Sequence, residues 1–234
     1  MFVKYPKTYR ILVPQISTKG KHYLSDEDTK RLLAGNITLT EKIDGANTAV
    51  IRHKDYFKLQ KRGSLVGVGE HAQFNMFKAW SQINYDKLLE IPKDTILYGE
   101  FCWAKHTVFY NILPDWFLAF AWWNKKTNKF YHHNDMEELC DKIGIHTVPL
   151  IEQTIGINKE DLFDLIPNPS AYGHEQAEGL VVYNYKQQLR GKVVLRKFQE
   201  AMDMDGHWAT KKIVNNIVSD VCHCKDKEDD QRKN

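Results

Sequence analysis

The chain has 234 residues, 42% of them hydrophobic and 12% aromatic, enough apolar material for the core of one large domain. Its formal net charge is only +3, so no overall field points to nucleic acid, and any such site must be a local basic patch. No apolar run approaches the ~20 residues of a membrane span, Met1 to Arg10 lacks the apolar segment of a secretion signal, and four scattered cysteines (Cys102, Cys140, Cys222, Cys224) form no disulfide framework, so the expected setting is the cytosol, with no membrane partner.

Tyr9 to Val13 reads as a strand. Ser25 then caps a short helix: Asp26, Glu27 and Asp28 fill its first turn, and Gly35 closes it after Leu32-Leu33. The most informative stretch follows, Thr40-Glu41-Lys42-Ile43-Asp44-Gly45-Ala46-Asn47. Ile37 and Leu39 alternate into it as a strand, and Ala49-Val50-Ile51 leave it as a second strand. Asp44-Gly45 is turn chemistry, because glycine accepts a positive φ at no steric cost. Lys42 therefore stands at a strand end, beside a turn that lets a ligand approach. Such a lysine serves as a nucleophile once something lowers its pKa from ~10.4. Alone, the pattern more often describes a hairpin with a surface lysine.

A third strand, 56–60, ends in Lys61-Arg62-Gly63-Ser64, two cations before a glycine turn that suit phosphate or a solvated strand end. Gln73 to Ile83 reads as a helix, with Phe74, Phe77 and Trp80 as a core stripe. Thr95 to Phe101 is an apolar strand in which Gly99 leaves room beside the acid Glu100. Trp116 to Trp123 is a buried aromatic strand, one of whose rings is free to stack on a base. His132-His133 reads as a turn, 134–142 as a helix, 146–151 as a strand and 158–166 as a helix. Glu178 and Gly179 open a strand, Gly191 to Phe198 forms another that ends in Arg196-Lys197, and Gly206 to Asp220 reads as a helix. Cys222-His223-Cys224 lacks the second ligand pair of a zinc site.

In order, these β elements carry a turn lysine, a strand-end arginine, an acid after glycine, an aromatic strand, an acid before glycine and a cation pair. That set resembles the covalent nucleotidyltransferase superfamily of ATP-dependent ligases and capping enzymes. Lys42-Ile43-Asp44-Gly45 looks like its nucleotidyl-lysine motif. Arg62, Tyr98-Gly99-Glu100-Phe101, Trp116 to Trp123, Glu178 to Val182 and Val194-Leu195-Arg196-Lys197 look like the motifs that follow. The longer string from Glu41 to Asn47, and the early Phe2-Val3-Lys4-Tyr5, are most similar to the RNA-ligase-2-like branch. Two departures stand out. The family's last motif usually carries Lys-x-Lys, whereas Arg196 and Lys197 are adjacent and would point to opposite faces of a strand, with Lys197 favoured for phosphate. Many relatives read Phe-Asp where Ala121 follows Phe120.

The resemblance implies an α+β adenylylation domain, ATP-grasp-like with antiparallel sheets flanked by helices, over residues 1–200. A helical extension over 201–224 and a charged, disordered tail over 225–234 would follow. It implies that Lys42 attacks the ATP α-phosphorus, that AMP passes to a polynucleotide 5′-phosphate, and that a 3′-OH then expels AMP. Lys42, Arg62 and Lys197 would be catalytic. Glu41, Asp44, Asn47, Glu100, Phe120, Glu178 and Arg196 would join them around the nucleotide, with Glu178 at the metal, Glu100 on the ribose and Phe120 on adenine. ATP and Mg²⁺ are the expected cofactors, with Mn²⁺ as a substitute. Neighbouring cations and partial burial are expected to lower the Lys42 pKa. The expected substrate is RNA, as a nick or as ends, with a minimal DNA ligase or a non-catalytic nucleotide or RNA-end binding module as alternatives. Only a short stretch follows the last motif, so the expectation is a monomeric minimal ligase, with a partner protein that supplies nucleic-acid docking as the other arrangement. A phage, viral or cellular repair setting goes with that size.

Overall fold

The computed structural model describes residues 2–15, 22–198, 200 and 213–219. In chain order the elements are β1 (Tyr9–Arg10), α1 (Asp26–Leu33), β2 (Asn36–Glu41), β3 (Ala46–Arg52), β4 (Phe57–Lys61), β5 (Ser64–Leu65), α2 (Ala72–Ile83), α3 (Tyr85–Leu89), β6 (Thr95–Phe101), β7 (Phe117–Asn124), β8 (Lys129–Phe130), α4 (His133–Ile143), β9 (His146–Thr147), β10 (Leu150–Ile155), β11 (Gly179–Asn184) and β12 (Leu189–Val194). They make two sheets, β1-β12-β11-β2-β10 and β5-β4-β3-β6-β7-β8, with β9 beside β7. Pairing is antiparallel except for β1 with β12 and β9 with β7. The α+β class expected from the strand-rich sequence holds.

Each sheet buries a different set of side chains. Phe77 and Trp80 of α2, Leu88 of α3, and Met136, Leu139 and Ile143 of α4 cover one face of the second sheet. Its other face, through Ala49, Ile96, Tyr98 and Ala121, meets Val3 and Tyr5 of the N-terminal segment. The first sheet packs Leu39, Leu180, Val182 and Val193 against Leu32 of α1 and against Val108, Tyr110 and Leu113 of the loop between β6 and β7.

A β-bulge in β7 changes which residues face which side. Tyr98 pairs with Ala121 but Gly99 pairs with Ala119, so Phe120 is the extra residue. Before it, Phe117 and Ala119 point into the helix-covered cluster; after it, Trp122 does so while Ala121 and Trp123 turn to the opposite face. Simple alternation along 116–123 does not reveal that switch.

Several local expectations change. His132 is an N-cap, its Nδ1 accepting from Asn134 N–H at 3.3 Å, and His133 is buried in the first turn of α4, so the pair opens the helix and forms no turn. Residues 158–166 form only a short 3-10 turn at Asp161–Phe163. The strand expected over 146–151 splits into β9 and β10. Within 206–220, residues 213–219 are extended and make bridges from Asn215 to Ala104 and from Val218 to Leu113. They are therefore not helical, because backbone partners in the β6–β7 loop replace the helix's own. The remainder of that expected helix, Cys222-His223-Cys224 and the charged tail lie outside the described residues.

Gly179 carries the tightest contact between strands: an added Cβ would stand 1.9 Å from the Val193 carbonyl oxygen. Gly179→Ala must push β11 and β12 apart. We expect it to cost about 1–3 kcal/mol of stability, read as a lowered denaturant midpoint at unchanged slope.

Candidate active site

Because β2 and β3 belong to different sheets, Lys42–Gly45 does not make a hairpin. It is the crossing between the two sheets, on the floor of a cleft of about 1240 Å³. Gly45 is needed here for space: a Cβ would meet Phe101 O at 2.8 Å, Glu100 Cγ at 3.1 Å and Cys102 Sγ at 3.2 Å, and its backbone is not left-handed. The expectation of a positive φ at this glycine is thus replaced by close approach of β6. Asp44 lines the cleft and is anchored through one carboxylate oxygen. Its Oδ2 accepts from Thr107 N–H at 2.6 Å and Val108 N–H at 3.0 Å, and its own N–H donates to Tyr110 Oη at 2.9 Å.

Lys42 is held at both ends. Its backbone N–H donates to Gly179 O at 3.0 Å, and Nζ donates to Glu178 Oε2. The neighbouring Glu41 is almost fully buried, and its carboxylate takes the Ser170 hydroxyl and Ala171 N–H, the latter at 2.9 Å. That carboxylate fastens the 170–171 loop, and Glu41 also lines the cleft. Across the floor, Asn47 of β3 stands opposite Glu100 of β6, whose Oε1 accepts from Gly45 N–H at 3.1 Å. Asn47 Oδ1 is buried with no partner in the protein. Phe120, raised by its bulge, lines the wall with Val148, Val181 and Tyr183. Arg62 sits exposed in the β4–β5 turn at the mouth, as its glycine turn implies.

The electrostatics of the floor reverse one expectation. Burial pushes the Lys42 ammonium down, but Glu178, Asp44 and Glu100 outweigh it and hold its pKa well above the usual lysine value. The lysine of the free protein is therefore a paired ammonium. Burial raises Glu178, against the pull of Lys42. Burial also pushes Glu100 up to about 8, with Asp44 and Glu178 adding to it and Lys42 opposing.

The cation at the back of the site is not one of the expected pair. β12 ends at Val194, and the chain turns helical at Arg196. Arg196 then pairs with Glu200 at 2.7 Å, and Lys197 lies over the Phe198 ring; both are exposed and neither lines the cleft. Lys192 does line it. Burial, then Lys42, with smaller contributions from Arg10 and Arg62, press its pKa down to about 8 against the pull of Glu178. The signal was present in the sequence as a lysine inside an apolar strand, Gly191-Lys192-Val193-Val194, with the parity opposite to buried Val193. Also missed were Lys4 to Thr8, His71 and His106, which line the cleft from distant parts of the chain.

Carboxylate oxygens suit Mg²⁺ or Mn²⁺. Among the described residues no three His, Cys, Asp or Glu side chains gather closely enough to hold a metal alone. Glu178 beside a roomy cleft fits a divalent ion that takes one protein carboxylate and completes its shell with phosphate and water. No helix among the described residues is long and apolar enough to cross a membrane.

The model of the RNA ligase family matches residues 35–196, the span that holds the cleft floor and every strand except β1. The chain belongs to that family. No curated protein matches the sequence significantly. Among solved structures, the RNA ligase of Naegleria gruberi with pyrophosphate aligns at TM-score 0.65 and 16% identity, over 85% of this chain and 61% of that one. A lysine mutant of the same ligase with ATP and Mn aligns at TM-score 0.60 and 15% identity, over 76% and 54%. These likenesses establish the fold, a ligase nucleotidyltransferase fold. The chain spans little more than half the length of the ligase chains it matches.

Glu100 binds its proton more tightly folded than unfolded. Unfolding therefore releases protons between pH 4.5 and about 8, and stability falls as pH rises through that window. Glu178, also raised, acts in the same direction. Glu100→Gln should flatten the decline; denaturant midpoints at several pH values across the window check it.

Proposed function

We propose that this chain is an ATP-dependent RNA ligase that works through a lysyl-AMP on Lys42. The observation that carries this is a half-buried lysine, paired to a buried carboxylate, on the floor of a nucleotide-sized cleft. Phe120 would offer its face to adenine, the unpartnered Asn47 Oδ1 would offer an acceptor to the nucleotide, and Glu100, which lines the cleft, is assigned to the ribose hydroxyls. Lys192 and Arg62 carry positive charge toward the phosphates, which is where charge grows during transfer.

The free site is a resting state, since an ammonium cannot attack. Glu178 would hold a divalent ion, which would supply positive charge to the leaving pyrophosphate. Once Glu178 no longer serves Lys42, burial and the nearby Lys192 favour loss of the Nζ proton to water. Neutral Nζ then forms a bond to the α-phosphorus, and the bond from α-phosphorus to the bridging oxygen breaks, releasing pyrophosphate. The anchored Asp44 turn keeps Nζ in line. AMP passes next to an RNA 5′-phosphate, and a 3′-OH displaces it.

Incubation with α-labelled ATP and Mg²⁺ or Mn²⁺, followed by a denaturing gel, tests the first step. A labelled band is expected with wild type and none with Lys42→Ala. Lys192→Ala should label about a hundredfold more slowly, the cost of one lost charge-stabilising group. Arg62→Ala should impair sealing of a nicked duplex. Labelling that persists in Lys42→Ala would end the proposal. Folded wild-type protein that binds ATP without labelling would make it a nucleotide-binding module, and sealing of DNA nicks alone would make it a DNA ligase.

Phe120→Leu should raise KM for ATP more than it lowers kcat for lysyl-AMP formation. The loss expected from base stacking is about 1–3 kcal/mol, read from the concentration dependence of labelling.

A further inference from the structure

The loop between β6 and β7 has no regular structure, yet it holds the lysine turn. Thr107 and Val108 N–H grip the Asp44 carboxylate, and Tyr110 Oη accepts from Asp44 N–H. Tyr110 and Val108 are fully buried, so the loop's own backbone groups need partners within the protein. Those partners come from the far end of the chain. Asn216, only 2% exposed, donates from Nδ2 to Cys102 O at 2.8 Å and accepts at Oδ1 from Tyr110 N–H at 3.0 Å. The backbone around it joins in: Lys105 N–H donates to Val214 O at 2.8 Å, Asn216 N–H to Trp103 O at 3.0 Å, and Ile217 N–H to Tyr110 O at 2.9 Å.

One amide side chain thus clamps two points of the loop, and the backbone between them carries the Asp44 anchor. Ile213 and Val214 of the same segment reach the cleft wall. We infer that Asn216 is a positioning residue for adenylylation: through Cys102, Tyr110 and Asp44 it sets the place of Lys42 Nζ relative to the α-phosphorus. The segment 213–219 is then a strap that completes the nucleophile's support, although it follows the family-matched residues. The assignment rests on the ligase reading above.

The test is single-turnover labelling of the full chain with α-labelled ATP and Mn²⁺, with rate constant and amplitude recorded separately. A mispositioned lysine loses rate constant at full amplitude; a merely destabilised protein loses amplitude at an unchanged rate constant. Asn216→Ala is expected to lower the rate constant about tenfold to hundredfold. Asn216→Asp keeps the acceptor for Tyr110 and loses the donor to Cys102, so it should lose less, and it decides the matter if the alanine variant does not fold. Tyr110→Phe removes the acceptor for Asp44 N–H on the same path. Combined with Asn216→Ala, it should cost clearly less than the product of the two single effects. Wild-type rate constants in both Asn216 variants, or strictly multiplicative losses with Tyr110→Phe, would overturn the assignment alone. Absence of labelling in wild type would overturn the ligase reading and this assignment with it.

Discussion

Burying a charged lysine is costly unless carboxylates share the burial, and the architecture around Lys42 follows from that constraint. Glu178 meets Nζ directly, while Asp44 and Glu100 complete a field that keeps the ammonium charged. Burial raises the pKa of two of the acids, Glu100 and Glu178, while Lys42 pulls both down. The three acids come together from separate places: Asp44 from the lysine turn itself, Glu100 from β6, and Glu178 from the residue before β11.

That convergence is supplied by the two-sheet design. β2 ends at Glu41 in one sheet and β3 begins at Ala46 in the other, so the lysine turn bridges the layers. Glu178 comes from the residue before the strand beside β2, and Glu100 from the strand beside β3. Glycines at the two contact points, Gly45 and Gly179, let the backbones come within distances that a Cβ would forbid. The bulge at Phe120 places an aromatic face in the cleft without taking its neighbours out of the core. The N-terminal segment closes another wall, tied down where Tyr98 Oη and Gln60 Nε2 both donate to Val3 O at 2.8 Å.

Control of the lysine therefore extends well beyond its own motif. Asp44, an acid that a motif reading assigns to the ligand, is occupied by loop amides, and Glu41 is occupied by Ser170 and Ala171. These side chains hold the backbone around Lys42 in place. The Asn216 contacts extend that support to a segment remote in sequence.

Local pattern was enough for much of this. Alternation and turn residues made the strands around Lys42, Glu100 and Glu178 legible, and the order of lysine, arginine, glycine-flanked acids and aromatic strand pointed to the family and to most of the cleft floor. Where the reading went wrong, the deciding partner lay far away along the chain. Arg196 and Lys197 look like the end of a strand, but the chain turns helical there, and it is Lys192 that lines the cleft. Residues 213–219 carry helical spacing, but the β6–β7 loop offers them backbone hydrogen bonds that hold them extended. The charge on Lys42 depends on three acids from three separate places. The sequence by itself determined which residue types stand at strand ends and turns, because steric and pairing preferences act over a few residues. Only the tertiary structure decided which of them share a cleft and in what protonation state, because burial and Coulomb fields depend on distances that the chain sets only once it is folded.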